Sequence, residues 1–373
     1  MPPDLPSRIK HLAREAGFDL CGIAPVREFC ELESFAAWIG ADRHGEMKYM
    51  ESRNDAGELK RAALARVAPW ARSVIVCAIN YNTAQPYSTQ TEDPTRCWIS
   101  RYAWSREDYH DAVLRRLRQV ESALLGVLTS HEPPSTVHCR CYVDTGPLVE
   151  RVYAKYAGIG WIAKNTCIIN QKLGSWLFLG VILTSLELEA DLPAPDRCGT
   201  CTRCLDACPT HAFVGPGQLD ARLCISYLTI EKRGEIPEDL RPGMGRHVFG
   251  CDICQDVCPW NRKAPVTTAA EFQPREGLVN PALDWLAEMQ PEEFRTVFRG
   301  SPIRRAKLSG LRRNAAIAMG NSENAKFVPT LQTLSEDPDP VVASHAKRAL
   351  QELQAHVENP QLSQSGQRVI PVL

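Results

Sequence analysis

The stretch CGTCTRCLDACP, residues 198–209, determines how the middle of this chain folds. Its cysteines follow the spacing C-x2-C-x2-C-x3-C-P, in which three thiolates wrap one face of a cubane iron–sulfur cluster and the fourth points toward a second cluster. The stretch CDICQDVCP, residues 251–259, repeats this pattern without one internal cysteine. Cys224 stands alone between the two stretches and can supply the missing ligand. The spacing therefore predicts a segment that binds two 4Fe–4S clusters.

The fourth cysteine of each stretch crosses to the other cluster, and this crossing assigns the ligands. One cluster takes Cys198, Cys201, Cys204 and Cys258, and the other takes Cys208, Cys224, Cys251 and Cys254. The alternative is a pair of structural zinc sites, but zinc prefers two separated C-x2-C pairs, which three closely packed cysteines match poorly. The remaining cysteines are scattered, and we expect them to be buried small hydrophobic residues. They are Cys21, Cys30, Cys77, Cys97, Cys139, Cys141 and Cys167.

Composition and charge limit the class of protein. A chain of 373 residues is long for one core, so two or three domains are expected. The sequence shows no signal-peptide pattern and no apolar run long enough to span a membrane, so we expect a cytoplasmic protein. Its 15 cysteines cannot all pair, and we expect the thiols to be reduced in that compartment. The formal net charge of -1 means that any nucleic-acid contact requires a local basic patch.

Residues 1–190 alternate helix and strand patterns, which predicts an α/β domain. The expected helices cover residues 7–17, 31–41, 108–128 and a segment after Pro147. The expected strands cover residues 19–24, 73–78, 137–143, 166–170 and 175–184. The proline-rich stretch 192–196 marks the boundary to the cluster segment, residues 191–265.

Residues 266–373 are predicted to be helical throughout the ordered part. Helices are expected at 311–319, 327–334 and 341–353, followed by a loose tail of about a dozen residues. The stretch LSEDPDPVVASHAKRAL resembles one HEAT repeat, a helix pair that stacks on its neighbours.

Two neighbouring clusters form a path for single electrons, and such a path needs a group to reduce. The chain contains no GxGxxG after a strand and no GxxxxGK[ST], so neither a nicotinamide site nor a nucleoside triphosphate site is indicated. The electrons must therefore come from an external low-potential donor of the flavodoxin or ferredoxin type.

Four further stretches resemble one family. They are YVDTGPLVER at 142–151, GIGWIAKN at 158–165, CISYLTIE at 224–231 and FGCDICQ at 249–255. Together with the two cluster motifs they resemble epoxyqueuosine reductases, and the resemblance extends from HGEM at 44–47 into the helical C-terminal region. A cluster motif alone is not specific, but this combination is.

The resemblance implies the last step of queuosine synthesis, in which the epoxide of epoxyqueuosine at the wobble position of a tRNA is reduced to an alkene with loss of water. It also implies cobalamin, reduced through the clusters to the cob(I) state and bound without a lower histidine ligand, in agreement with the lack of a D-x-H-x-x-G motif. The implied architecture is an α/β N-terminal cobalamin-binding domain, a ferredoxin-like two-cluster segment and an all-α HEAT-like C-terminal domain.

The resemblance places the family's proton donor at Asp144. This residue follows an expected strand and precedes a turn with Gly146 and Pro147, and catalytic groups concentrate on such loops. A carboxyl group can protonate the opening epoxide if burial raises its pKa. The alternative is an aspartate that caps the next helix, which is common.

Other site residues also follow from the resemblance. Arg151 would hold the substrate, or would be a solvated helix arginine. The residues implied to contact cobalamin are Arg61, Asp144, Asn165, Ile168, Ser226 and Asp252. Ser226 and Asp252 lie within two residues of cluster ligands, where the corrin must meet the second cluster.

A tRNA substrate requires a basic surface, and residues 299–313 contain six basic and no acidic residues. We expect Arg304, Arg305, Arg312 and Arg313 to contact the anticodon stem–loop phosphates, although a solvated helix face is the usual role of such a run. Splayed anticodon bases need aromatic platforms, for which Trp161, Tyr102 and Trp104 are candidates, unless they belong to the core.

Two other functions remain open at this point. A small-molecule corrinoid reductase, such as a reductive dehalogenase, shares the corrinoid and the two clusters but needs no basic helical arm. A non-catalytic electron carrier needs only the cluster segment and not the large α/β domain. We expect a monomer that does not associate with membranes.

Overall fold

The structure is a computed structural model that describes residues 4–128 and 137–358. The strands are β1 (Leu20–Pro25), β2 (Ser73–Asn80), β3 (Trp98–Ile99), β4 (Cys139–Tyr142), β5 (Trp161–Ile162), β6 (Ile168–Ile169), β7 (Leu177–Thr184), β8 (Phe213–Gly215), β9 (Gln218–Leu219) and β10 (His247–Phe249). The helices are α1 (Leu5–Glu15), α2 (Cys30–Gly40), α3 (Tyr109–Leu128), α4 (Glu150–Tyr156), α5 (Arg203–Asp206), α6 (Ile225–Ile230), α7 (Ile253–Asp256), α8 (Leu283–Glu288), α9 (Pro291–Val297), α10 (Lys307–Asn321), α11 (Val328–Leu334) and α12 (Pro340–Glu358). The loose tail predicted for the last dozen residues lies outside the described residues.

The N-terminal region is built on a four-stranded sheet in the order β1-β2-β7-β4. Every pairing in this sheet is antiparallel, although an alternation of helices and strands usually builds a parallel sheet. The central strand β2 is buried along its whole length, which agrees with its uninterrupted apolar sequence. The expected helix and strand types are therefore present, but their connections produce an antiparallel sheet.

The sheet is covered on both faces, so this region has three layers. Helices α1 and α3 pack with Ile75 and Ile182 on one face, and α2 and α4 pack with Val74 and Val181 on the other. Gly180 in β7 permits the close approach of α3, because a Cβ atom there would lie 2.8 Å from a Leu117 methyl group. This packing fixes the start of α3 and the β4–α4 turn at the same end of the sheet.

The C-terminal helices form a separate core with an unexpected contribution from the N-terminal region. Residues 97–104 are buried in the same apolar cluster as α8, α10, α11 and α12. Strand β3 pairs in parallel with β10 of the cluster segment. The boundaries predicted at residues 190 and 265 therefore separate the sequence but do not separate the cores. The HEAT-like character of the last helices remains a prediction.

In the described part of the chain, no helix is long and apolar enough to cross a membrane.

Candidate active site and cluster segment

The first predicted ligand set comes together from both cysteine stretches. Burial, with the nearby thiols of Cys258, Cys198 and Cys201, raises the pKa of Cys204 to about 11. The indole Nε1–H of buried Trp161 donates a hydrogen bond to Cys198 Sγ over 3.4 Å. The proximity of Cys258 to this set agrees with the crossing predicted from the spacing.

The second predicted ligand set lies on the other side of the segment. Contact with the thiol of Cys167, burial, and the thiols of Cys251 and Cys224 raise the pKa of Cys254 well above its usual value. The thiol of Cys208 acts on Cys251 in the same direction. Cys208, Cys224, Cys251 and Cys254 therefore form one neighbourhood, as a shared cluster requires.

Five of the seven cysteines outside these sets are not fully buried, which differs from the expected core positions. Cys167 is partly exposed and contacts the second ligand set, and Cys30 is exposed. Cys77 and Cys97 are buried as expected, and the remaining three are half-buried. These three are Cys21, Cys139 and Cys141.

Within residues 4–128 and 137–358, no group of three or more His, Cys, Asp or Glu side chains is close enough to hold a single metal ion. A cubane cluster is larger than one ion and holds its four ligand sulfurs farther apart. The two cysteine sets fit clusters because each brings together four thiols from the predicted crossing pattern.

Asp144 lies in the turn between β4 and α4, where its φ of 59° is in the left-handed region. Its backbone N–H donates to Glu150 Oε1 over 2.7 Å, which fixes the turn against α4. Its Oδ2 accepts a hydrogen bond from the Tyr109 hydroxyl over 3.2 Å and lies 3.6 Å from His110 Nε2. The residue at the start of α4, Val149, receives no side-chain cap. The carboxylate therefore faces the start of α3 and does not cap α4.

The start of α3 holds its side chains rigidly. His110 Nδ1 lies 2.7 Å from Asp108 Oδ1, which orients the imidazole so that Nε2 faces Asp144. The Tyr109 ring stacks on Phe178 of β7 with centroids 4.4 Å apart and planes 3° apart. The sheet thus positions both groups that contact Asp144.

The protonation states differ from the sequence prediction. We expected burial to raise the pKa of Asp144, but the interaction with the His110 imidazole 3.6 Å away outweighs burial and lowers it. Burial alone would lower the pKa of His110, but the carboxylates of Asp108 and Asp144 outweigh burial and raise it to about 9. Burial and the charge of Asp144 raise the pKa of Glu150 to about 8. At neutral pH the proton of this site is held by His110 and Glu150, and Asp144 is ionised.

The space beside these groups, called the cleft below, is open to solvent at Asp144, whose side chain is 67% exposed. Tyr102, Cys167 and Cys254 are likewise partly exposed. The Tyr102 ring lies 5.9 Å from the ring of Tyr109, which contacts Asp144, and the charge of Asp252 also acts on Tyr102, so the cleft extends from Asp144 toward the second ligand set.

The structure brings only some of the other predicted residues to this cleft. The charge of Arg151 helps to lower the pKa of Asp144, and its Nη1 donates to the Thr166 carbonyl over 3.1 Å. Asn165 is buried and its Nδ2 donates to the Cys254 carbonyl over 3.2 Å. Ile168 was expected to contact a cofactor, but it packs in the apolar core between the sheet and α4.

Asp252 was also expected to contact a cofactor, but its carboxylate is occupied within the protein. It is 1% exposed, and it accepts hydrogen bonds from Trp98 Nε1, Ser100 Oγ and the Arg101 backbone N–H at 2.9, 2.5 and 2.7 Å. It therefore joins the cluster segment to residues 98–101. Ser226 is half-buried at the start of α6.

The predicted basic surface is smaller than the sequence suggested. Arg313 is 1% exposed, and its guanidinium donates to the backbone carbonyls of residues 228, 232 and 234. Arg312 pairs with Asp337 at 2.8 Å and is mostly buried. Arg304 and Arg305 remain exposed. Two of the four predicted phosphate contacts thus hold the fold together.

The predicted stacking platforms are core residues. Trp104 and Trp161 are at most 2% exposed, and Tyr102 is largely enclosed. Sequence reasoning also missed Tyr109 and His110. The acidic and aromatic residues at the start of the longest amphipathic N-terminal helix were the available signal, because a helix start fixed by packing is a good position for functional groups.

Two four-cysteine sets beside a cleft that contains a carboxylate–imidazole pair define an iron–sulfur oxidoreductase. Residues 197–261 match the family model described as a 4Fe-4S double cluster binding domain, and residues 61–145 match the one described as "Epoxyqueuosine reductase QueG, DUF1730". Among curated relatives, the epoxyqueuosine reductase of Pseudomonas aeruginosa is 41% identical over 94% of this chain and 95% of its own length. That of Gloeobacter violaceus is 43% identical over 85% and 96%. The chain belongs to the epoxyqueuosine reductase family.

Solved structures agree with this assignment. An epoxyqueuosine reductase crystallised with an epoxyqueuosine-modified tRNA-Tyr stem loop aligns with a TM-score of 0.83 and 31% identity over 95% of this chain and 92% of that one. The Bacillus subtilis enzyme, crystallised with its catalytic aspartate loop swung out of the active site, aligns with a TM-score of 0.82 and 30% identity over the same shares. Reductive dehalogenases align with TM-scores of 0.40 to 0.43, which carry no argument about function.

Proposed function

We propose that this protein reduces epoxyqueuosine in tRNA to queuosine. The reaction adds two electrons and two protons to the epoxide, breaks both of its carbon–oxygen bonds and releases water. The observation that supports the proposal most directly is the Asp144–His110 pair in a cleft beside the second cysteine set, in a chain 41% identical to an epoxyqueuosine reductase over 94% of its length. A proton source and an electron source thus face the same space.

Asp144 and His110 supply a proton to the departing oxygen. The exposed carboxylate is the group that reaches the substrate, and because it is ionised at neutral pH, the proton that it relays to the departing oxygen comes from protonated His110 at 3.6 Å. Glu150 holds the turn through the Asp144 backbone N–H. The left-handed φ of Asp144 makes this turn a strained element, and the swung-out catalytic loop of the Bacillus subtilis relative supports a mobile role for it.

Cobalamin is the cofactor that the family implies, and the residues of the cleft fit it. The cleft is bordered by Asp144 and the second ligand set, with Arg151 and Ser226 available as polar contacts. When bound, cobalamin supplies low-potential electrons for breaking the carbon–oxygen bonds. Arg61 remains a proposed contact at the edge of the site. The side chains of Ile168, Asn165 and Asp252 serve packing and loop positioning.

The partners follow from the same reasoning. Exposed Arg304 and Arg305 contact phosphates of the tRNA stem–loop, and an external flavodoxin- or ferredoxin-type donor reduces the clusters. The helical C-terminal region, HEAT-like in sequence, carries this basic surface. The protein acts as a monomer.

A single-turnover assay tests the proposal. Protein purified anaerobically and loaded with iron, sulfide and cobalamin is mixed with a stem–loop that carries epoxyqueuosine, and the nucleosides are separated after digestion. Wild-type protein should form queuosine, and Asp144→Asn should lower the rate by about 10²- to 10⁴-fold. Asp111→Asn, which changes an exposed acid in the first turn of α3, is the matched control and should keep the wild-type rate. Failure of wild-type protein to form queuosine would contradict the function, and full activity of Asp144→Asn would contradict the proton route.

A further inference from the structure

One aromatic side chain stands out on the surface of this protein. Of the large hydrophobic side chains that the described residues expose, Tyr49 is the aromatic one, with 44% of its surface in contact with solvent. Soluble proteins expose single apolar residues routinely, so exposure alone has little meaning. The side chains around Tyr49 are what indicate a binding role.

Two guanidinium groups flank the Tyr49 ring. The Cζ atom of Arg305 lies 5.3 Å from the ring centroid, and that of Arg61 lies 5.9 Å from it. Both distances are within cation–π range. An aromatic ring beside guanidinium groups offers a flat apolar surface for a base next to positive charge that can bind a phosphate.

The three side chains are held in position before any ligand binds. Arg61 Nη1 donates to the Tyr49 backbone carbonyl over 2.8 Å. Arg305 makes two hydrogen bonds of 2.9 Å to the half-enclosed carboxylate of Glu231. Such pre-organisation lowers the entropic cost of binding.

The group lies at the rim of the cleft. Burial and the charge of Glu231 raise the pKa of Tyr49, and the charge of Asp144 adds to this increase. The charge of Asp144 also acts on Arg305. Tyr49 and Arg305 therefore lie near enough to Asp144 for its charge to act on both, and Tyr49 remains open to solvent.

We infer that Tyr49 and Arg305 form a binding site for one nucleotide of the substrate RNA next to the modified one, while Arg61 holds the Tyr49 backbone in place. The base stacks on the exposed part of the Tyr49 ring, and its phosphate contacts Arg305. Aromatic stacking and guanidinium contacts are how proteins hold unpaired nucleotides. The inference rests on the proposed function, because it takes the RNA as the substrate that reaches Asp144.

Binding measurements test the site separately from catalysis. The affinity of cobalamin-loaded protein is measured for the unmodified anticodon stem–loop. Tyr49→Ala should weaken binding by about 5- to 150-fold, the range for loss of one base–aromatic stack, and Tyr49→Phe should bind like wild type because it keeps the ring. Leu192→Ala removes an exposed apolar side chain elsewhere and should have no effect.

The salt dependence of RNA affinity tests the role of Arg305. Arg305→Gln should reduce the slope of log affinity against log salt concentration by about one. The matched control is Arg295→Gln, because Arg295 is also exposed and paired with a glutamate, Glu292, and its slope should stay that of wild type.

Two results would overturn the inference. One is wild-type RNA affinity in Tyr49→Ala. The other is RNA affinity that falls together with equally weakened cobalamin binding, measured by absorbance titration, since Tyr49 would then act through the cofactor. Neither result depends on queuosine formation, so the inference can fail while the proposed function stands. If wild-type protein binds the stem–loop but forms no queuosine, the function fails instead.

Discussion

At the scale of single residues, the proton of the active site is stored on histidine. The carboxylates of Asp108 and Asp144 raise the pKa of His110 to about 9 from an ordinary value of 6.5. His110 therefore keeps its proton through neutral pH. The pairing stabilises the fold fully below about pH 6.5, and this stabilisation is lost as the pH rises through about 9.

The pH dependence of the single-turnover rate should report this proton. In wild-type protein the rate should fall as the pH rises through about 9, because His110 can then no longer reprotonate Asp144. In His110→Gln the rate should be lower by about 10²-fold at neutral pH, and the fall near pH 9 should disappear. Glu150→Gln is the control, since it removes the other group that titrates nearby, at about pH 8, and should leave the fall near pH 9. A fall near pH 9 in His110→Gln would assign it to another group.

A second single-residue effect concerns the first cluster. The Trp161 Nε1–H donates to Cys198 Sγ, and a hydrogen bond to a ligand sulfur stabilises the reduced, more negative cluster. Trp161→Phe keeps the aromatic bulk but removes the donor. If the bond contributes about 1 kcal/mol, the midpoint potential should fall by on the order of 40 mV for a one-electron couple. Redox titration followed by electron paramagnetic resonance measures the shift. An unchanged potential with both clusters present would exclude this role, and Trp260→Phe, a partly buried neighbouring tryptophan, provides the control.

Sequence reasoning reached Asp144 but not its chemistry. The resemblance placed the residue, and the strand-to-turn pattern placed the loop. Its pKa depends on His110, which lies 34 residues earlier in the chain and meets Asp144 only because the sheet packing aligns α3 with the β4–α4 turn. No local pattern contains that information.

At the scale of elements, helix α10 shows why a charge run is an ambiguous signal. The sequence predicted an RNA-binding surface, but residues 313–320 of α10 are all buried. Arg313 donates to the backbone carbonyl of Leu228 in α6 and to those of residues 232 and 234 just after it. Their positions depend on the fold of residues 228–234, which the run itself cannot reveal.

Arg313 should therefore contribute to stability and not to RNA affinity. Burial lowers its pKa to about 10, which is still high enough to keep it charged. Arg313→Met should lower the free energy of unfolding by about 3 kcal/mol, because it leaves buried carbonyl groups without donors. Arg304→Met, at an exposed position, should change it by less than about 0.5 kcal/mol. Urea unfolding followed by circular dichroism compares the two, and equal stabilities would show that the carbonyl groups find other partners.

At the scale of the whole molecule, the order of the three regions was predictable and their interlocking was not. The cysteine spacing, the proline-rich boundary and the helical end are local patterns. The burial of residues 97–104 among the C-terminal helices joins positions about 200 residues apart, as in the bridge between Arg96 and Ala282. Strand β3 has two residues, and so short a sequence pattern cannot predict its pairing with β10.

Asp252 joins the cluster segment to residues 98–101, so changing it should test experimentally how these regions depend on each other. Its buried carboxylate accepts three hydrogen bonds from residues 98–101, so Asp252→Ala should cost at least about 3 kcal/mol and leave those donors unpaired. Because the joint connects the cluster segment to the strand that enters the helical core, thermal unfolding of the cluster-loaded protein should change from one transition to two. Asp206→Ala is the matched control, since Asp206 also follows a cluster cysteine but is exposed and accepts a local hydrogen bond from Thr202. Cluster content is measured in parallel by iron analysis. A single transition at the wild-type temperature in Asp252→Ala, with full iron content, would show that the cores are held together by apolar packing alone.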